Sequence, residues 1–479
     1  MFVVLETFLI FVSATEVRKH SNYLYIQNAM ERNRILSIMV SSGDYTYRFS
    51  DEYDWSDCTF DWGDGTTTNG DHIHHYRDSL GPRIISVDCP NGLPQPIGSL
   101  TRLYSPFDAK HTIGGISCPD TTSTANLFRS CKELTYVSDE FLSGVNRLTD
   151  ARKMFAHCLK LKSVPGNLFR GKIRLECVDG LFYGCVNLES IPGNLFYDCP
   201  IKRFDETFRG CSSLKTIPSG LFSKNVLAER FCSTFSSCTN IETIPTDLFK
   251  TNELVSKFYG TFEFMNSLQS VPNDLFKNCK HVVSMDRVFG RCCRLSYIPG
   301  DLFKNNPIVE SFNETFFGCT SLDRIPGDLF KNNVFVKYFD KTFWGCYKLK
   351  EIPSDLFQNN HSVESFCCTF SDCYDLIEIP SGLFKYNVYV KHFDYTFDGC
   401  ERLTFVPDDL FSNNIRVKSF RGTFDRTKLQ NDERSGDFFD EKVATESFMD
   451  IVERLRKIVT EYYSTNPNDR ITIDESDLI

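Results

Sequence analysis

From residue 125 onward the chain repeats one pattern of apolar and polar positions with almost no change of length. Taking Phe316 as position 0 of a unit, apolar or small residues follow at positions 3 (Cys319), 6 (Leu322), 9 (Ile325), 13 and 14 (Leu329, Phe330), 20 (Val336) and 23 (Phe339). Pro326 stands at position 10 and Asn333 at position 17, and Phe343 restarts the count. The register Phe recurs at 128, 155, 182, 208, 235, 262, 289, 316, 343, 370, 397 and 424, a period of 27 broken by one step of 26. A fixed period in this range means that each unit cannot bury its apolar side alone, so the units stack around one long, thin core. That core accounts for the 44 Phe of the chain without any ligand.

Within each unit the pattern predicts two short parallel strands, around positions 5–9 and 20–23, joined by short helical turns. Pro at position 10 and Asp at position 12 (Asp247, Asp274, Asp301, Asp328, Asp355, Asp409) suit the first turn of a helix. Asn at position 17 (Asn225, Asn252, Asn306, Asn333, Asn360, Asn387, Asn414) suits its end, either as a cap or as an inward amide bonding the backbone of a neighbouring turn. The L-x-x-I-P segments Leu214 to Pro218, Leu322 to Pro326 and Leu349 to Pro353 resemble the BspA-like leucine-rich repeats of bacterial and bacteriophage surface proteins, where they take the place of the short strand. The resemblance covers 125–430 and implies an α/β solenoid of about twelve repeats with a binding face.

Upstream the period changes to two. Ile35 to Val40, Tyr45 to Phe49, Cys58 to Trp62 and Arg83 to Val87, separated by Gly, Asp and Asn, predict a small all-β sandwich over 34–90. Its series Trp62-Gly63-Asp64-Gly65-Thr66, His74-His75-Tyr76 and Gly81 before a strand resembles a PKD-type immunoglobulin-like domain, with Pro82 as a departure. The glycines allow a tight turn and Asp64 is placed to accept backbone N–H groups within it. His72, His74 and His75 with Asp61 or Asp64 are the one metal-like grouping, but alternating His on a strand need not converge, and no metal or cofactor is expected.

The remaining segments are a short apolar N-terminus, a linker and a tail. Residues 1–33 include the run Phe8 to Val12 followed by Ser13 and Ala14, half of a secretory signal without a preceding Lys or Arg. No run approaches the roughly 20 apolar residues of a membrane helix. Residues 91–124, with Pro94, Pro96, Pro106 and Pro119, read as a linker and N-terminal cap. Residues 431–479 carry 13 acidic and 6 basic residues and include an amphipathic helix over 441–463, expected to cap the last coil or to mediate oligomerisation.

Charge and cysteines narrow the function. A net charge of −10, of which the tail supplies −7, offers nothing to nucleic acid. Ten of the 20 Cys occupy position 3 (Cys131, Cys158, Cys185, Cys211, Cys238, Cys292, Cys319, Cys346, Cys373, Cys400), where Met265 and Thr427 also occur, so the column reads as packing by reduced thiols. Cys293 and Cys367, outside the column, are the expected reactive thiols. No nucleophile–base pair or phosphate loop stands out of the repeat, and the Asp residues stack without pairing across a cleft, which argues against a glycan hydrolase and against an enzyme generally.

Function is then expected on variable rows. One flanks the first strand at position 8, with Tyr297, Arg324 and Phe405; the other flanks the second strand, with Tyr259, Tyr338, Trp344, His392 and Tyr395 and the carboxylates Asp286, Asp340 and Asp394. The expected function is adhesion or receptor binding at a bacterial surface or on a phage particle, through a protein or glycan partner. An intracellular or virion scaffold is the alternative.

Overall fold

The computed structural model describes residues 56–76 and, with a few gaps before 145, residues 122–430, together with the backbone of four further strands. The N-terminal segment and the acidic tail, with the amphipathic helix expected over 441–463, lie outside the described residues. The strands are β1 (Leu36–Val40), β2 (Tyr45–Arg48), β3 (Thr59–Asp61), β4 (Thr67–Asn69), β5 (Ile73–Tyr76), β6 (Arg83–Asp88), β7 (Thr112–Ile116) and β8 (Tyr136–Val137).

Two sheets form at the N-terminal end, one of order β4-β3-β6-β1-β7-β8 and one pairing β2 with β5. The Trp62–Tyr76 signature is structural: Tyr76 Oη donates to Trp62 O (2.6 Å) and Trp62 Nε1 to Thr68 Oγ1 (2.9 Å). Asp64 accepts from Thr66 N at 3.0 Å and lies 2.8 Å from His74 Nε2, whose ring stacks on Trp62 at 5.0 Å. Burial pushes the Asp64 carboxyl up, but the hydrogen bonds from Thr66 and His74 outweigh it and hold the group at about 2. The expected linker contains β7, which runs antiparallel to β1 and parallel to β8, so the sheet continues into the first coil.

Residues 122–430 form the solenoid. Three Phe columns fill it: Phe316 stacks on Phe343 at 5.6 Å, Phe303 on Phe330 at 6.2 Å and Phe312 on Phe339 at 5.8 Å, with Phe330 tilted against Phe312 at 4.7 Å. Rings offset at these distances add about 0.5–1.5 kcal/mol per pair beyond burial. Leu322, Ile325, Leu329, Val336 and Cys319 complete the core.

The expected helical turns do not form; among the described residues the one helix is the 3₁₀ turn Lys428–Gln430. The competing hydrogen bonds explain why. From Phe312 to Gly318 every second amide leaves its own turn for the next coil: Phe312, Glu314, Phe316 and Gly318 donate to the carbonyls of Tyr338, Asp340, Thr342 and Trp344 at 2.7–3.0 Å. The amides between them, on Thr315 and Phe317, and Cys319 beyond, close back three residues. A helix would use every amide internally; here two of the four inter-coil donors, at positions 25 and 2, are left-handed (Glu314 φ 56°, Gly318 φ 67°). Gly at position 2 in Gly318 and Gly345 meets that demand without strain. The second-strand expectation reduces to one parallel bridge per coil at position 22, from Ser123 to Ser419, and the first strand appears beyond β8 at Ser270–Tyr297 and Glu378–Phe405.

Polar columns close the remaining backbone. Each Asn at position 17 is an inward amide: Asn333 Nδ2 donates to Phe303 O (3.1 Å) and Asn306 O (2.8 Å) of the preceding coil. Cys279 takes the Asn place in one coil and donates to Asn252 O instead. Thr at position 26 bridges two carbonyls, as Thr342 does to Phe312 and Phe339. From Cys158 to Cys400 each column thiol donates to a Phe carbonyl, Cys319 Sγ to Phe289 O at 3.3 Å, and these cysteines are free and buried. Burial raises the Cys319 and Cys373 thiols well above the ordinary range.

Candidate recognition face

The predicted contact residues fall on two separate edges. Tyr297, Arg324 and Phe405 stand at position 8 and are exposed. Phe405 also lines a shallow groove of about 500 Å³ with Glu378, Pro380, Asp408 and Asp409. Tyr338 and His392 at position 22, Tyr259 at 24, Tyr395 at 25 and Trp344 at 1 belong to the wall of alternating amides. Tyr259 and Tyr338 are exposed, and Trp344, His392 and Tyr395 half-buried. They form a spaced row and no cluster: at about 4.8 Å per coil the three tyrosines are about 14 and 10 Å apart along the axis.

The carboxylates expected in this row belong to the fold. Asp286 Oδ1 accepts from Asn313 N (2.9 Å) and Ser311 Oγ (2.5 Å), and Asp340 Oδ1 from Cys367 N (3.0 Å) and Ser365 Oγ (2.5 Å); Asp394 repeats the pair with Arg421 N and Ser419 Oγ. Position 24 leaves an amide of the next coil without a carbonyl, and the Asp side chain supplies the acceptor. Burial lifts Asp286 and Asp340 above the ordinary carboxylate range despite these donors.

A line of side chains that single-residue reading missed runs beside this row, one residue from each of seven consecutive coils at positions 1 and 2: Phe264, Arg291, Phe317, Trp344, Asp372, Asp398 and Arg426. The Arg291 guanidinium lies 5.4 Å from the Phe264 ring and 4.6 Å from the Phe317 ring. Phe317 stacks on Trp344 at 4.9 Å, Lys341 reaches within 5.3 Å of the indole, and Trp344 Nε1 donates to Asp372 at 2.9 Å. Arg426 joins Asp372 (2.9 Å) to Asp398 (2.6 Å), and hydrogen bonding to Asp398 keeps its guanidinium charged. Such partners are 26 to 28 residues apart, with Arg426 also reaching two coils back, so the signal is visible when positions 1 and 2 are read down the coils. A parallel set surrounds the tyrosines: Arg287 lies 2.7 Å from Glu314 and 5.9 Å from the Tyr259 ring, and Arg421 lies 5.8 Å from the Tyr395 ring.

The wall offers binding groups and little reactivity. Cys367, expected to be reactive, is pushed up to about 12 by burial and beside it Cys368 to about 11; a thiol so raised is scarcely a nucleophile at neutral pH. Cys293 is half-buried, its Sγ donating to Arg291 O at 3.4 Å. Among the described residues no three His, Cys, Asp or Glu are grouped to hold a metal, and no helix is long and apolar enough to cross a membrane. Cys58 is disulfide-bonded, its partner outside the described residues.

No protein-family model matches the sequence, and no curated protein is similar to it. Among solved structures, the chain is similar to Toll of Drosophila in its complex with Spatzle (17% identity, TM-score 0.38), over 59% of this chain and 35% of that one. It is similar to a leucine-rich repeat protein of Bacteroides ovatus (16%, TM-score 0.28), over 68% of this chain and 88% of that one. A leucine-rich cell surface protein of Faecalibacterium prausnitzii matches at 14% and TM-score 0.25, over 73% and 93%. The aligned region thus spans about a third of the Toll structure. Superpositions this loose carry no argument about what this chain binds.

Proposed function

We propose that this chain is a non-enzymatic adhesion or receptor-binding protein of a bacterial surface or a phage particle, with the wall around positions 22 to 2 as its recognition face for a protein or glycan partner. The observation that carries the reading is the seven-coil line from Phe264 to Arg426. The inter-coil amides there are already paired with carbonyls, so the aromatic and guanidinium groups add nothing the backbone needs. Aromatic and Arg side chains held in place by their neighbours are the usual anchors of contact surfaces. Tyr259 and Tyr338, exposed beside the line, extend it. The N-terminal sheets, PKD-like in their Trp62 to Tyr76 signature, serve as spacer or attachment.

The disulfide at Cys58 favours the surface reading over an intracellular scaffold, since disulfides persist in oxidising surroundings. The thiol columns are compatible with it, because buried, protonated thiols resist oxidation.

The test compares edges. Labelled protein is retained on whole bacterial cells and on arrayed surface glycans, with Tyr259, Tyr338 and Trp344 changed to Ala in one variant and Tyr297, Arg324 and Phe405 in another. The first variant is expected to lose at least tenfold in affinity with unchanged unfolding, the second less than threefold; each tenfold is about 1.4 kcal/mol. Equal losses, or none from either, would remove the wall from consideration.

A further inference from the structure

A third surface, at the bend just before the wall, carries exposed apolar side chains outside the core. It is the corner after the Asn ladder, positions 18 and 19, where Val226, Leu227, Leu254, Ile308, Val334, Phe335, Val388 and Tyr389 are each 38–55% exposed. The amides at position 17 bond coil to coil directly beneath, so these corners are stacked in register. Together the eight half-exposed side chains show on the order of 600 Å² of apolar surface, in three stretches divided by two polar corners. With its polar flank it approaches the about 800 Å² per partner of a standard interface.

The order of residues along the corner says what covers it. Going from the coil of Phe208 to that of Phe397, the corner reads Val226-Leu227, Glu253-Leu254, Lys280-His281, Pro307-Ile308, Val334-Phe335, His361-Ser362, Val388-Tyr389 and Ile415-Arg416. Read in reverse, the order of the four central corners, polar, apolar, apolar, polar, is the same. The centre of the reversal lies between the coils of Phe289 and Phe316. A two-fold axis there sets Ile308 against Val334 and Phe335, the polar corner of Lys280 and His281 against that of His361 and Ser362, and Leu254 against Val388 and Tyr389. Glu253 and Arg416 are the two charged residues that would face apolar corners, Arg416 against Val226 and Leu227. Any unrelated partner would need only an apolar strip; a palindrome of apolar and polar corners is what an isologous contact requires.

We propose that two copies of this chain pair side by side and antiparallel through this corner, with Ile308 and Phe335 next to the two-fold axis. The contact uses positions 18 and 19, next to the wall that begins at position 22, and brings two such walls into one particle, which multiplies weak contacts to a surface.

Sedimentation equilibrium on the full chain gives the test. The wild type is expected to be a dimer at micromolar concentration, and Phe335→Glu to raise the dissociation constant at least 100-fold while leaving thermal unfolding unchanged, since the side chain is exposed. Ile308→Lys combined with Phe335→Glu is expected to restore association, because the antiparallel axis sets each new cation against a new anion. A wild-type chain that stays monomeric to about 100 μM, weaker than interfaces of this size give, overturns the proposal. So does a dimer indifferent to Phe335→Glu, a double variant that stays apart, or a dimer lost on removing residues 431–479 but kept in the Phe335 variant.

Discussion

Two polar positions recur along the solenoid and look alike in sequence, Asn at position 17 in seven coils and Asp at position 24 in alternate coils from Asp286 to Asp394, yet they solve opposite problems. At the Asn corner the preceding coil presents carbonyls that each accept one local turn bond and have a lone pair to spare, and an amide with two N–H groups fits them. At the Asp side the next coil presents an amide without a carbonyl, and a carboxylate fits it. The choice of amide or acid thus records which backbone group each turn leaves open. Asn313, which accepts from Asp340 N through Oδ1, shows that position 24 needs an acceptor and not a charge.

Exchanging the two chemistries tests this most severely. Asn333→Asp places an acceptor against two buried carbonyls, and a loss of about 3 kcal/mol or more is expected in urea unfolding; a loss below about 1 kcal/mol would undo the donor assignment. Asp340→Ala leaves Cys367 N and Ser365 Oγ without their acceptor, for about 1–3 kcal/mol, whereas Asp340→Asn is expected to stay within about 1 kcal/mol. Cys319→Ala should cost on the order of 1 kcal/mol as a small cavity, with reductant making no difference to the wild-type solenoid. The smallest effect is in pH. Asp286 and Asp340 have folded pKa values above the ordinary 3.8, so the native state takes up protons first and the solenoid gains stability as pH falls through that window. Asp64, held at about 2, has the opposite sign: its contribution is complete above the unfolded value and is lost as pH falls toward 2. Melting followed separately for the sheets and the solenoid between pH 6 and about 3 should therefore diverge, and parallel curves would contradict the assignment.

The apolar columns were legible because burial at a period of 27 admits one arrangement, in which Phe316, Leu322, Ile325, Leu329, Val336 and Phe339 all point inward. Helical turns were misread because propensity sees Pro326 and Asp328 but not the neighbouring coil that captures alternate amides. The same blindness turned Asp286, Asp340 and Asp394 into contact residues and Cys367 into a reactive thiol, since their partners are a coil away. Trp344 was singled out by its type; Phe264, Arg291 and Phe317 acquire meaning only once stacked beside it. The corner from Val226 to Tyr389 went unread because exposure at a bend has no periodic signature distinct from that of the core.

The inter-coil bonds from Phe312, Glu314, Phe316 and Gly318 all run along the solenoid axis. A pull between the ends therefore loads successive coils in series, and each set opens like a zipper instead of shearing as one. A coil of 27 residues occupies one bridge spacing when stacked, about 4.8 Å, and about 90 Å when drawn out. Under tension the protein would lengthen one coil at a time and refold as load falls, a rope with slack stored in every turn.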